Sequence, residues 1–465
     1  MVFVEARFFL FFAIVFFVYW LIPGNRSRKL WLLAASYVFY GAWDWRFLLL
    51  LIASTGVDYF IAMYLDRAPD GRNRKIAFWC SIGFNLSILG FFKYFDFFVG
   101  SFATFVGQFG FEPDMLTLNV ILPLGISFYT FQTMSYVIDV YRRDLKATRN
   151  PLDFALFIAF FPQLVAGPIV RAGTLLPQFD GLRQFPYDAR NAVLLCTVGF
   201  FKKAVIADNI AVVIDPVWAN PLSYDWPSIV IAQFLFMVQV YCDFSGYSDI
   251  AVGTAALLGF YLPRNFGPSL LQRNLIEGWR LWHITLAGWF RDYVMFPLLR
   301  NRRDPNAIAI GILVTMCLIG FWHGASWNFI IWGLLQGLGV AYLTYRRRSS
   351  RGKARWKMPY LAALALTLTF NALTLVFFRT PSFAAALSVL KADLLGSPGP
   401  LSITYYPYIA FAMLGLIHWL WHRYDLERVV SHVPALPFTM ATGIAFALFF
   451  SMTPREILPF IYFQF

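Results

Sequence analysis

The sequence predicts an all-α polytopic membrane protein, a single integral membrane domain over residues 1–465. Two observations carry that expectation. Of the 465 residues, 59% are hydrophobic and only 14% charged, with a mean hydropathy of +0.61. Soluble domains carry roughly a quarter charged residues, so a globule of this length has too few charges to cover itself. Long apolar runs also recur along the whole chain, separated by short basic loops, which is the pattern of membrane helices.

In chain order the runs lie near 8–23, 30–43, 46–64, 76–95, 119–140, 151–168, 191–214, 227–243, 248–261, 307–345, 358–379, 406–421 and 434–452. At about 20 residues per crossing, about eleven are true transmembrane helices and the others re-entrant, interfacial or buried. The first run has no small-residue cleavage site after it and reads as a retained span. Run 307–345 holds no Asp, Glu, Lys or Arg. It is too long for one crossing, and Gly320, Gly324 and Ser326 mark where it folds back. Leu122–Tyr129 and Phe161–Pro168 place proline and glycine inside apolar runs. Broken backbone at depth is tolerated only against protein or a cavity, so these segments read as the wall of an internal passage or as kinks.

Arg26, Arg28 and Lys29 follow the first run, and Arg67, Arg72, Arg74 and Lys75 come two runs later. The positive-inside bias assigns both loops to the cytoplasm and the N-terminus to the outside. The basic loop 346–355 is a further cytoplasmic marker, able to touch anionic lipid. This distribution accounts for the net charge of +13 without a nucleic-acid partner. Cys80, Cys196, Cys242 and Cys317 stand singly in apolar segments, as small buried hydrophobes rather than a disulfide frame or zinc site.

Five histidines are present. His323 sits in the charge-free run, within Gly320-Phe321-Trp322-His323-Gly324-Ala325. A titratable side chain at that depth is a functional candidate, and a neutral imidazole suits a general base. A histidine bonded across helices as structural glue is the competing reading. His283 lies in Trp279-Arg280-Leu281-Trp282-His283, followed by Arg291-Asp292-Tyr293. On a continuous helix Trp279, Trp282, His283, Leu286, Trp289, Phe290 and Tyr293 share one face. That face is either an interfacial aromatic belt or the lining of a channel, with Arg280 and Arg291 near a phosphate-bearing donor. Asp243 and Tyr247 are four residues apart in Tyr241-Cys242-Asp243-Phe244-Ser245-Gly246-Tyr247-Ser248-Asp249, and Gly246 marks a possible break. A structural hydrogen-bond network competes there with a site-lining role. His418 and His422 have helical i, i+4 spacing but no third ligand motif, so no metal is expected. His432 falls in a short loop.

With these motifs in view, the chain resembles the membrane-bound O-acyltransferase superfamily, in its bacterial alginate O-acetyltransferase branch. The resemblance rests on Pro123–Tyr129, Tyr136–Arg142, Phe161–Arg171, Phe201–Asp208, Tyr241–Gly253, Trp279–Tyr293, Phe321–Ala325 and the terminal Pro459–Phe465. It implies a helical bundle around a central tunnel, with His323 as the active-site histidine and His283 as a second one. Trp279, Arg280, Trp282, Arg291, Asp243, Tyr247, Trp322 and Asn328 become candidates for substrate contact, with His283, Trp322 or Asn328 orienting groups or stabilising an oxyanion. It further implies a bacterial inner-membrane enzyme with no tightly bound cofactor. The donor is acetyl-CoA from the cytoplasm, and an extracytoplasmic acetyltransferase partner passes the group to a polysaccharide. Many relatives of the alginate type carry a Gly-Gly-Asn-Arg turn soon after Arg-Asp-Tyr, where this chain reads Phe296–Arg303. That departure keeps peptidoglycan, cellulose or another exopolysaccharide open as the polymer, with teichoic-acid D-alanylation more distant. A transporter or flippase is the rival of another class, though no symmetry between two halves stands out.

Overall fold

The computed structural model describes residues 1–111, 118, 120–186, 188–300, 302–349, 358–403, 415–416, 420, 429–430, 432–454 and 461. Among them the regular structure is helical, with only two isolated β-bridges. Among the described residues six helices are long and apolar enough to cross a membrane: Trp45–Arg67, Arg72–Gly107, Trp226–Leu257, Pro305–His323, Tyr360–Arg379 and Ala435–Met452. The expected run 406–421, with His418 and His422, lies almost wholly outside the described residues. The chain divides into two compact units, residues 1–189 with 254–263, and 190–253 with 264–465.

The first unit contains α1 (Ala6–Leu21), α2 (Asn25–Gly41), α3 (Trp45–Arg67) and α4 (Arg72–Leu89). A π turn joins α4 to α5 (Phe95–Gly107), and α6 (Ile126–Arg142), α7 (Pro151–Ala159), α8 (Phe161–Leu164) and α9 (Ala172–Leu175) follow. Charges read as cytoplasmic loop markers are partly buried here. Lys29 pairs with Asp153 at 2.6 Å, while Arg28 donates to the carbonyls of Ile22 and Arg183 and stacks on Tyr19 and Trp20. Asp58 on α3 is fully buried and accepts bonds from Ser81 and Asn85 on α4. Cys80 is exposed on α4 rather than buried, because apolar runs that face lipid bury only part of their surface.

The two proline- and glycine-bearing segments meet in this unit. Gly125 takes a left-handed φ of 72°, and a Cβ there would stand 2.6 Å from the Leu164 carbonyl oxygen. Only glycine combines that conformation with that approach. Pro162 interrupts the helix after α7, and side chains satisfy the freed groups. Gln132 and Gln163 both donate to the Phe157 carbonyl, at 2.8 and 2.7 Å, and Ser36 Oγ accepts the Phe161 N–H at 3.1 Å. These breaks are closed by protein, as low-dielectric surroundings require.

The second unit begins with α10 (Ala189–Phe200), a π turn over Phe201–Ala207 and α11 (Asp208–Ala219). Next comes α12 (Trp226–Leu257), one 32-residue helix where two separate runs were expected. Gly246 does not break it; a Cβ there would stand 2.7 Å from the Gly199 carbonyl, so the residue lets two helices touch. The carboxylates of this helix are neutralised in place, Asp243 by Lys203 at 2.5 Å and Asp249 by Lys202 at 2.7 Å. Three short helices follow, α13 (Leu275–Leu281), α14 (Ile284–Phe290) and α15 (Phe296–Leu299). The long run 307–345 then folds back as expected. It forms a hairpin of α16 (Pro305–His323) and α17 (Trp327–Ser349), broken at Gly324-Ala325-Ser326. Its arms meet backbone to backbone, since a Cβ on Gly320 would collide with the Phe329 carbonyl oxygen. Among the described residues, helices α18 (Tyr360–Arg379), α19 (Phe383–Leu395) and α20 (Ala435–Met452) follow.

Candidate active site

His323 is the last residue of α16, at the hairpin turn, and is 2% exposed. Its ring packs among Trp322, Trp332 and Phe378 with centroids 5.1, 5.3 and 5.4 Å away. Trp332 comes from the opposite arm of the hairpin and Phe378 from α18, so three helices form the enclosure. Asn328 opens the first turn of α17, and its amide donates to the Thr380 carbonyl at 2.9 Å. That bond ties α17 to the end of α18.

His283 corrects the expected continuous helix. Trp282 is extended and His283 left-handed, at φ 43° and ψ 53°, so α13 stops and α14 starts anew. The aromatic residues of 279–293 therefore do not share one face. The cause is Asn265, far upstream. Its Oδ1 accepts from the Thr285 N–H at 3.2 Å and the Thr285 hydroxyl at 2.8 Å, and its carbonyl accepts the Ile284 N–H at 2.8 Å. Gly267 N–H donates to the Leu281 carbonyl on the other side of the break. A non-glycine residue in this region is strained by about 1–3 kcal/mol and persists only when its surroundings hold it.

The same Asn265 oxygen lies 3.2 Å from His283 Nδ1. Because that atom accepts a backbone N–H, it is the oxygen of the amide, so Nδ1 carries the proton and Nε2 the lone pair. Burial lowers the His283 pKa to about 3, which keeps the ring neutral at ordinary pH. Phe244 of α12 packs edge-on against it at 4.6 Å. Trp322 lies 5.9 Å from His283 and 5.1 Å from His323, so one indole touches both imidazoles.

The remaining predicted residues separate into groups. Trp279 and Trp282 line a cavity with Trp332, Gln336 and Asn371, and Trp279 Nε1 donates to Gln336 Oε1 at 3.1 Å. Arg280 is exposed, and Arg291, also exposed, bonds its neighbour Asp292 at 2.7 Å. Asp243 is buried, and besides Lys203 it accepts the Ile461 N–H at 2.9 Å. Tyr247 is buried on the same helix. His432 is exposed. Among the described residues no group of three or more His, Cys, Asp or Glu is placed to hold a metal. Sequence reasoning missed Asn265, Lys203 and Trp332. The Pro263-Arg264-Asn265-Phe266-Gly267-Pro268 connector has no periodicity to single out its asparagine, whereas a lysine pair inside the apolar run 191–214 was a readable signal.

Residues 142–378, a stretch that includes both buried histidines, match the membrane-bound O-acyltransferase family. The chain belongs to that family. Over 346 residues it is 40% identical to a probable alginate O-acetylase of Pseudomonas putida, covering 73% of this chain and 70% of the relative. A probable alginate O-acetylase of Azotobacter vinelandii is 38% identical, with 78% and 73% covered. A peptidoglycan O-acetyltransferase of Helicobacter pylori is 36% identical, again with 78% and 73% covered. The protein is thus a membrane-embedded acyltransferase. For an acyltransferase the geometry offers two buried imidazoles joined by one indole, in a site walled by tryptophan.

Proposed function

We propose that this acyltransferase moves an acetyl group from cytoplasmic acetyl-CoA to an acceptor hydroxyl presented from the other side of the bacterial inner membrane. The observation that carries the reading is the buried His323 at the hairpin turn, inside the family-matching region and joined to His283 through Trp322. His323 accepts the hydroxyl proton as the oxygen attacks the thioester carbonyl. The C–O bond forms, the C–S bond breaks, and the proton passes to the leaving sulfur. His283, held neutral with its Nδ1–H on Asn265, positions the reacting groups, and the tryptophan walls exclude water and strengthen each electrostatic contact.

The whole chain acts as one catalytic domain, crossing the membrane about eleven times around a tunnel, with its N-terminus outside. The exposed Arg280 and Arg291 meet the donor's phosphates, while Trp279, Trp282, Asp243, Tyr247 and Asn328 shape or support the substrate path. An extracytoplasmic acetyltransferase partner takes the group onward to a polysaccharide. The names of the relatives favour alginate or an alginate-like exopolysaccharide, with peptidoglycan as the second reading. The test is acetyl-CoA turnover by purified His323→Ala with its partner. A fall of about 10²–10⁴-fold in a folded variant is expected of a lost general base, and wild-type turnover removes His323 from the mechanism.

A further inference from the structure

The second unit contains a cavity of about 70 Å³ whose wall is formed by Trp279, Trp282, Trp332, Gln336, Asn371 and Ser269 among apolar neighbours. Part of its polar lining is fully bonded. Gln336 accepts from Trp279 Nε1 and donates to Asn371 Oδ1 at 3.1 Å and Thr374 Oγ1 at 2.8 Å, which fixes its amide. Two other polar atoms are not. Trp332 Nε1 and Ser269 Oγ are buried and have no hydrogen-bond partner among the described residues. A buried donor left unmade costs about 1–3 kcal/mol, and native proteins carry few of them. Both residues line the one cavity, so a guest there can supply both missing bonds.

The chemistry of the guest follows from the donor. An indole N–H only donates, so the guest brings an acceptor. Trp332 is also the ring packed against His323, at 5.3 Å. One indole therefore both walls the cavity and borders the His323 imidazole. The volume decides the size. Ligand pockets for drug-sized molecules run to about 300–1,000 Å³, whereas about 70 Å³ suits a fragment of a few heavy atoms.

We propose that this cavity is the acyl pocket, that Trp332 is a catalytic residue whose Nε1–H bonds the thioester carbonyl oxygen, and that the surrounding tryptophans restrict the acyl group to a short chain. The inference rests on the acyl-transfer reading of His323. As the acceptor oxygen attacks, negative charge grows on the carbonyl oxygen, and the indole donor holds it until the C–S bond breaks and the carbonyl re-forms. Ser269 Oγ provides a second hydrogen bond to the same guest.

The experiment compares acetyl-, propionyl- and butyryl-CoA as donors for wild type, Trp332→Phe, Trp332→Ala and His323→Ala, each purified in detergent with its partner. Trp332→Phe keeps the ring and removes the donor. It is expected to lower kcat for acetyl-CoA by about 10²–10³-fold, the effect of losing one oxyanion donor, with KM little changed. Trp332→Ala is expected to raise the butyryl-to-acetyl ratio of kcat/KM by at least about tenfold, as pocket enlargement does for methylene-sized differences. Wild-type kcat in Trp332→Phe, or an unchanged ratio in folded Trp332→Ala, means the cavity holds only water and overturns the proposal. If Trp332→Ala is not recovered folded, kcat of Trp332→Phe decides alone. Either failure leaves the His323 reading standing so long as His323→Ala is inactive, and an active His323→Ala defeats that reading whatever Trp332 does.

Discussion

Replacing Asn265 by alanine tests the claim that this residue builds the His283 site. In the structure Asn265 Oδ1 takes the His283 Nδ1–H, the Thr285 N–H and the Thr285 hydroxyl. Alanine removes the acceptor that faces the buried His283 Nδ1 and the part-buried Thr285, and the loss of that buried bond is expected to cost about 1–3 kcal/mol. The left-handed His283 also loses the contact that holds it, and acyl transfer falls with the disordered imidazole. Asn265→Asp keeps an acceptor oxygen in place and is expected to retain more of the fold. Reversible SDS unfolding in mixed micelles measures stability, and thioester turnover measures the site. An Asn265→Ala protein within about 0.5 kcal/mol of wild type, the range of a featureless surface change, refutes the assignment.

Three further outcomes follow from the same geometry. Because the His283 pKa is lowered from 6.5 to about 3 by burial, the unfolded chain binds the extra proton between those values. Stability is therefore full above about pH 6.5 and declines as pH falls toward 3; unfolding against pH shows the slope, and His283→Gln is expected to flatten it. Lys203→Met leaves Asp208 and Asp243 without the ammonium that pairs both and is expected to cost about 3–5 kcal/mol. Asp243→Asn is milder, since Lys203 keeps Asp208, and the two unfolding curves compare them. Gly125→Ala meets both a left-handed φ and a carbonyl at 2.6 Å, so a loss of at least about 1–3 kcal/mol is expected by the same assay.

The parts legible in the sequence are those set by a single segment's own length and charge. The hairpin in 307–345 was readable because a charge-free run too long for one crossing must turn, and glycines mark the turn. The burial of His283 and His323 was readable because both stand among apolar and aromatic neighbours in the sequence. The break at His283 was not, since the aromatic spacing of 279–293 suits one helix and the residue that breaks it lies in a connector. Helix α12 was read as two because Asp243, Gly246 and Asp249 look like an interruption. Lys202 and Lys203 neutralise those acids and Gly199 fills the space beside Gly246, and both come from sequence some 40 residues earlier. Local pattern carries no information about a partner at that separation.

The glycine-fastened hairpin has a mechanical consequence. His323 ends one arm and Trp332 rides on the other, and the arms touch backbone to backbone at Gly320 and Phe329. Neither residue can move relative to the other without prising apart close-packed helices. The hairpin is thus an anvil, a fixed surface that sets the spacing of His323 and Trp332. The pieces facing the hairpin, the short helices α13 and α14 and the bent peptide at His283, are held by hydrogen bonds to the 265–267 connector rather than by such backbone contact. A crosslink across the hairpin should leave turnover intact, whereas one from the 265–267 connector to α14 should slow it.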